Sequence, residues 1–305
     1  MSVTEPREDL RSRLGRVGVW SFALDELPAG GERRTVAEIE AIGYPVLWIP
    51  EGLSSKEIVA HAGLLLAASE RLTIATGIAN MWARDAISLA NAARLLADDH
   101  PRRFVLGIGV GHGYSTEVRG LSYARPVSSM RTYLERMDEA PSSAPEPASP
   151  APRMLAALGP RMLELAAERT AGAHTYFVPV EHTASARSTL GSEPILAVEQ
   201  TVVLEAAPSV ARAIARRFAG DYLELPNYAN NLRRLGFSDD DVAATGTDRV
   251  IDATIAWGRV DSIVDRVRQH LDAGADHVAI QVLPAGPAET GVRELREIAA
   301  ALAPL

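Results

Sequence analysis

The segment RRFVLGIGVGHG, from Arg102 to Gly113, decides the fold class, because it begins as an apolar strand and ends in alternating glycines around one histidine. A short apolar run bounded by turn signals is typical of a strand buried on both faces. A glycine within a strand indicates that another backbone or a ligand approaches closely. The segment therefore predicts a buried strand that ends at a close contact, and it leaves open what makes that contact.

Similar β-rich runs alternate with helix-period segments on both sides of this strand, which is typical of repeated βα units. Eight runs predict strands, at residues 16–20, 45–49, 72–78, 104–109, 153–158, 173–178, 195–204 and 277–283. The main predicted helices cover residues 35–42, 56–68, 85–98, 182–190, 210–219, 261–273 and 288–302, with another opening at Gly159 and a helical insertion at 227–254. Eight such units favour an α/β fold of the closed (β/α)8 TIM-barrel type over an open doubly wound sheet.

One barrel domain is predicted for residues 15–305, with insertions between strands, after an N-terminal tail at residues 1–14. Residues 139–152, EAPSSAPEPASPAP, are rich in proline and serine and predict an extended surface loop. This stretch could instead be a domain boundary. Each half would then have to bury a core of its own, so we favour a single domain.

Composition excludes several classes of chemistry. The 305 residues contain no cysteine, which rules out disulfides and thiolate sites, and the net charge of -8 argues against nucleic-acid binding. The polar N-terminus and the lack of any apolar run of membrane-spanning length predict a soluble, cytoplasmic protein with no membrane partner.

The loops after barrel strands are where a TIM barrel carries its site. Glu51 follows the second predicted strand and is a candidate acid, base or hydrogen-bond acceptor, or a helix cap. Gly77, followed by Ile78 and Ala79, predicts a bulge or an unusual peptide geometry, with an ordinary turn as the alternative. His112 titrates near neutral pH and is either a proton donor or acceptor or a solvated side chain.

Two further patterns bear on ligands. The glycines at 107, 109, 111 and 113 do not form GxGxxG, so a dinucleotide fingerprint is absent. Gly159 and Pro160 open a helix whose free N–H groups, with Arg161, form a candidate anion site, unless they only start the helix. The seven histidines include no HxxxH or HxH pair, and no GxSxG or Walker motif occurs, so we predict no metal site and favour a cofactor with its own reactivity.

Five motifs in this order resemble the luciferase-like monooxygenase superfamily, in particular its branch of oxidoreductases that use the deazaflavin coenzyme F420. They are WIPEG, LTIATGIANMWARDA, RRFVLGIGVGHG, LAALGPRMLELAAERTAGAH and WGRVDSIVDRVRQHLDAGADHVAIQVL, and the likeness runs from about residue 15 to 300. The resemblance implies a barrel whose mouth holds a flavin or deazaflavin ring, a small-molecule substrate and a homodimer. Glu51 is followed by Gly52, whereas some sugar-phosphate-oxidising relatives have an acidic residue and a histidine there, so their substrate is not expected.

The resemblance also implies roles for the site residues. It places a non-proline cis peptide at Gly77-Ile78, beside Ala79, and gives His112 the proton-donor position, with Glu51 as the second catalytic candidate. The remaining cofactor-binding residues are a glycine-rich edge and a helix start for the phosphate-bearing tail, namely Gly107, Gly109, Gly111, Gly159, Pro160, Arg161 and Met162. Coenzyme F420 is the expected cofactor. An FMN-dependent monooxygenase and a non-catalytic barrel that binds a flavin-like molecule are the alternatives.

Overall fold

The computed structural model describes residues 7–284 and 289–302. Its strands are β1 (Val17–Trp20), β2 (Val46–Ile49), β3 (Thr73–Thr76), β4 (Ala79–Asn80), β5 (Phe104–Gly109), β6 (Arg153–Ala156), β7 (Gly172–Thr175), β8 (Ile195–Val203), β9 (Ile255–Trp257) and β10 (His277–Val282). Eight of them form a closed parallel barrel in the order β10-β1-β2-β3-β5-β6-β7-β8, because β8 also pairs with β10. The predicted (β/α)8 barrel is therefore confirmed.

Helices cover the outside of the barrel, and one of them closes the end formed by the amino termini of the strands. They are α1 (Arg7–Leu14), α2 (Ala29–Ile42), α3 (Ile58–Ala67), α4 (Ala86–Asp99), α5 (Gly113–Val118), α6 (Pro126–Asp138), α7 (Pro160–Arg169), α8 (Val180–Leu190), α9 (Pro208–Leu223), α10 (Pro226–Arg234), α11 (Asp248–Thr254), α12 (Val260–Asp272) and α13 (Val292–Leu302). Residues 139–152 link α6 to β6 without a helix or strand, as expected of the proline-rich stretch. No helix within the described ranges is long and apolar enough to span a membrane.

The first helix, α1, was missed by the prediction of an N-terminal tail at residues 1–14. Leu10 and Leu14 are fully buried and pack with Val46 and Ile195 at the amino-terminal end of the barrel. With only two apolar residues, one turn apart, α1 has too short an apolar stripe to stand out in the sequence. Residues 1–6 of the predicted tail, Ala288 at the predicted start of the last helix, and residues 303–305 lie outside the described residues.

Strand β2 shows how the barrel is filled. Val46 and Trp48 point into the barrel, whereas Leu47 and Ile49 pack beneath the surrounding helices. Alternate side chains of a strand lie on opposite faces, so a strand buried on both faces is apolar throughout. The helical insertion has an apolar cluster of its own under α9, α10 and α11, and β9 extends the sheet from the end of β8.

A bulge separates β3 from β4. Ala75 lies opposite Val105, and Ala79 lies opposite Ile108, so four steps on one side match three on the other. One extra residue is therefore inserted, and the peptide bond Gly77-Ile78 within it is cis. Both the bulge expected from the glycine and the cis bond implied by the resemblance are present.

Candidate active site

A cleft of about 1510 Å³ opens at the carboxyl ends of the barrel strands. It is lined by the loops after β1, β2, β3, β5, β6 and β7 and by residues of α9 and α10. The predicted site residues on its surface are Glu51, Gly77, Ile78, Gly111, His112, Gly159, Pro160, Arg161 and Met162. The fold thus brings together most of the candidates read from the strand ends.

Three predicted cofactor-binding residues do not line the cleft, and packing explains each of them. A Cβ on Gly107 would lie 2.0 Å from the backbone oxygen of Thr76. A Cβ on Gly109 would lie 2.5 Å from Ile78 Cδ1, and Ala79 is fully buried. The close contact predicted at the end of β5 is therefore made by the bulged neighbouring strand, and cofactor binding at Gly107, Gly109 and Ala79 stays a prediction.

Gly111 does border the cleft, and its backbone requires glycine. Its φ is +55°, a left-handed conformation that side chains rarely adopt, and an added Cβ would lie 2.5 Å from Asn80 Nδ2. Asn80 is held in turn because its side-chain oxygen accepts a hydrogen bond from the Trp82 N–H at 2.9 Å. The bulge and the glycine-rich end of β5 therefore support each other.

Glu51 is held by an ion pair. Its carboxylate forms a bidentate bridge with Arg84, at 2.9 Å for one of the two bonds, and accepts the Asn80 backbone N–H at 2.7 Å. Arg84 also reaches Glu57 at 2.8 Å. Three N–H donors therefore hold the Glu51 oxygens and tie this side chain to β4, and its acid or base role stays a prediction.

His112 precedes α5 and lies half-buried at the cleft. Burial lowers its pKa, which the Asn227 side chain partly offsets by favouring the charged form. Its Nδ1 is buried and has no hydrogen-bond partner within the described chain. The imidazole lies between the rings of Tyr114 and Tyr228, with centroids 6.0 and 5.7 Å away. A neutral imidazole at pH 7 is the form that can accept a proton.

One end of the cleft is cationic. Gly159 caps α7, and Pro160 occupies the first turn of this helix. The Met162 and Leu163 N–H groups donate to the Gly159 oxygen at 3.1 and 3.2 Å, so the Arg161 N–H is the one available to an anion in this turn. Arg161 lines the same end, and Arg234 Nη2 would lie 3.8 Å from a Cβ placed on Gly159. A third arginine, Arg119, also lines the cleft. None of the three is ion-paired with a carboxylate in the part of the chain that the structure describes.

Two buried side chains on the cleft have unsatisfied polar atoms. Trp20 and His174 are each 2% exposed, and neither Trp20 Nε1 nor either nitrogen of His174 has a hydrogen-bond partner within the described ranges. Burial lowers the pKa of His174 to about 3, so its ring is neutral, and it stacks on Trp48 at 4.4 Å. Buried polar atoms are normally paired, so these are ready to bind a polar ligand group. Trp20 is the last residue of the first strand, so a search of every strand end for site residues would have found it.

The buried carboxyl of Glu199 holds a turn at the edge of the cleft. Glu199 is 1% exposed and accepts hydrogen bonds from the Phe177 N–H at 3.1 Å and the Thr201 hydroxyl at 2.6 Å. Burial raises its pKa to about 7, against the lowering effect of these two hydrogen bonds. Through Phe177 it holds the turn that presents Tyr176 to the cleft. In residues 7–284 and 289–302, no three metal-ligating side chains come together as a metal site.

Glu199→Gln is expected to stabilise the protein at high pH. The folded-state pKa of Glu199 is raised, so its contribution to stability is present at low pH and is lost as the pH rises towards 7. Relative to wild type, the variant should therefore gain about 2 kcal/mol of unfolding free energy between pH 5.5 and pH 8. Urea denaturation at the two pH values measures this. A difference that does not change with pH would contradict a proton bound at Glu199.

Comparisons with known proteins agree with this geometry. A family model described as luciferase-like monooxygenase matches residues 20–277. An F420-dependent secondary alcohol dehydrogenase, in complex with an F420-acetone adduct, is 14% identical with a TM-score of 0.74, covering 94% of this chain and 99% of that one. The coenzyme F420 dependent tetrahydromethanopterin reductase from Methanopyrus kandleri is 15% identical with a TM-score of 0.72, covering 96% and 99%.

A flavin-dependent protein is about equally similar. The oxygenating constituent of 3,6-diketocamphane monooxygenase from Pseudomonas putida, in complex with FMN, is 14% identical with a TM-score of 0.72, covering 95% of this chain and 98% of that one. At identities this low, the three structures show a shared fold.

Proposed function

Because the chain belongs to the luciferase-like monooxygenase family, we propose that it is an oxidoreductase that uses coenzyme F420 to transfer a hydride to or from a small organic substrate. One observation carries the choice of cofactor. Among the described residues, Arg161 and Arg234 at one end of the cleft have no carboxylate partner. These two cations suit a ligand with a long acidic tail.

The residues present fit such a group. The N–H of Trp20 Nε1 is a donor without a partner, and His174 offers a donor and an acceptor on its neutral ring, which match the polar edge of a flavin-like ring. At the other end, the start of α7 and Arg161 would hold a phosphate, and Arg234 would meet further carboxylates. When bound, a deazaflavin supplies or accepts a hydride.

The chain's own residues then have to orient the substrate and move one proton. His112 would accept the proton that an alcohol loses, or return it to a carbonyl oxygen, at a ring nitrogen. Its lowered pKa keeps it neutral at pH 7 and suits it to accept that proton. Glu51 and Arg84 would keep β4 and Asn80 in place beside the floor of the cleft.

FMN with oxygen is the second candidate, and one structural feature separates the two. FMN carries a single phosphate, for which the start of α7 with Arg161 is sufficient, and it leaves Arg234 unused. Coenzyme F420 carries additional carboxylates that would use both arginines. The tail pocket therefore favours the deazaflavin, and direct titration with each cofactor tests the choice.

Arg234→Ala is expected to weaken F420 binding about tenfold and to change FMN binding far less, because a charge-assisted hydrogen bond contributes about 1.4 kcal/mol here. Kd values from cofactor fluorescence at two salt concentrations measure the effect, which should shrink at high salt. Arg136→Ala, an exposed arginine of α6 outside the cleft, is the matched control. Equal losses for both variants would count against a tail site at Arg234.

We also propose a homodimer that buries α3 and α4. Leu64, Ile87 and Leu95 lie on these two contacting helices and are 59%, 45% and 67% exposed, and exposed large apolar side chains are typical of an interface. Leu95→Glu is expected to convert dimer to monomer in size-exclusion chromatography with light scattering. Val210→Glu changes a 48% exposed apolar residue on α9 and should leave the dimer intact. A wild-type monomer would refute this interface.

A further inference from the structure

A continuous row of aromatic rings forms one wall of the cleft. The row, here called the ring wall, runs through Trp20, Tyr176, Tyr222, Tyr228, His112 and Tyr114, all of which line the cleft. Successive ring centroids are 5.0, 5.3, 5.2, 5.7 and 6.0 Å apart. These spacings are those of packed aromatic pairs, and successive ring planes are inclined by 50°, 42°, 80°, 49° and 7°, so the row offers ring edges as well as faces to the cleft.

The ring wall offers a ligand more aromatic surface than free hydrogen-bonding groups. The Tyr176 hydroxyl donates to Gln281 at 2.7 Å and lies 3.0 Å from the Tyr222 hydroxyl, so both of these groups are already used within the protein. Tyr114, at the end of the row, is 51% exposed and makes no side-chain hydrogen bond to another described residue. A ligand on this wall gains mainly by packing its own flat surface against the rings.

The cleft is large enough for two ligands. Its volume of about 1510 Å³ exceeds the roughly 300 to 1,000 Å³ of pockets that hold a single small molecule. The proposed cofactor would use Trp20 Nε1, His174 and the cationic end at Arg161. The rest of the ring wall, from Tyr176 to Tyr114, borders the same space and is left for the second reactant, and it includes His112, the proposed proton carrier.

We propose that the substrate of this protein is a flat aromatic or conjugated alcohol or carbonyl compound whose ring packs against the ring wall, with its oxygen near His112. The proposal rests on the proposed hydride-transfer function, because it assigns the second reactant of that reaction. It makes Tyr114, Tyr222 and Tyr228 specificity-determining residues, of which Tyr222 comes from α9 and Tyr228 from α10.

Two methyl ketones with equal carbon counts test the proposal. Acetophenone has a flat ring, and cyclohexyl methyl ketone has a puckered one, so their apolar areas are similar but only the first stacks. Calorimetric titration of the F420-saturated protein should show acetophenone binding about tenfold more tightly, the upper range for one aromatic contact. Binding of the two ketones within twofold of each other would overturn the proposal.

Variants of Tyr114 locate the effect. Tyr114→Ala should reduce the preference for acetophenone at least threefold, roughly one ring contact, whereas Tyr114→Phe should keep it. Tyr114 is half exposed, so both variants are expected to fold, and an unchanged unfolding midpoint verifies this. A full preference in Tyr114→Ala would also overturn the proposal.

The proposed function and the substrate class can fail separately. A protein that binds F420 but does not prefer the flat ketone keeps its proposed function and loses the ring-wall substrate. A protein that binds neither F420 nor FMN, yet still prefers acetophenone when titrated without cofactor, loses the hydride-transfer function while the ring wall stands as an aromatic binding surface.

Discussion

Replacing Gly107 with alanine is expected to lower the free energy of unfolding by about 4 kcal/mol or more, the range of severe core substitutions. The new Cβ would lie 2.0 Å from the backbone oxygen of Thr76, and a backbone atom cannot rotate away as a side chain can. The Thr76 hydroxyl also donates to the Gly107 oxygen at 2.7 Å, so the two strands are fixed to each other here. The variant must therefore move β3 away from β5.

Gly30→Ala is the matched control for this substitution. Gly30 lies in α2, and an added Cβ would meet nothing closer than Arg34 Nη1 at 3.8 Å. Alanine is the better helix former, so this change should be neutral or slightly stabilising. Urea denaturation of both variants gives the comparison. If Gly107→Ala were as stable as Gly30→Ala, the close approach of β3 to β5 would be wrong.

Replacing His112 with glutamine is expected to lower kcat by about 10² to 10³-fold without weakening F420 binding, because glutamine cannot exchange a proton. The wild-type enzyme should also lose alcohol-oxidising activity as the pH falls. Burial lowers the His112 pKa below its usual 6.5, so the loss should begin below that pH, when the ring becomes protonated and can no longer accept a proton.

The pH profile separates a proton carrier from a merely structural residue. In His112→Gln, the remaining activity should no longer fall as the pH drops below the His112 pKa. If His112 were only structural, the substitution would lower the rate equally at every pH. Tyr114→Phe, which keeps the neighbouring ring at 6.0 Å, is the control for local packing. An unchanged kcat in His112→Gln would remove this residue from the chemistry.

The barrel could be predicted from the sequence because strands buried on both faces are apolar throughout and therefore stand out from the helices. β2, with all four residues buried, is one example. Short elements did not stand out. α1 has two buried leucines, and β9 has three residues, so neither is long enough to show a repeating apolar pattern.

The lining of the cleft was predicted where a strand end or helix start marked it, as at His112 and Gly159, whose roles stay predictions. The contacts of a residue could not be predicted where they are made with a partner far along the chain. Gly107 serves the approach of Thr76, and Glu51 is held by Arg84, 33 residues away. Arg234 reaches the cleft from an insertion that no local pattern links to the barrel mouth.

Titration of the purified protein with coenzyme F420 and, separately, with FMN tests the central claim most directly. A cleft with two cationic anchors, Arg161 and Arg234, should bind F420 in the micromolar range or more tightly, and FMN more weakly. Tight FMN binding with no detectable F420 binding would contradict the account and point to flavin chemistry in the same cleft.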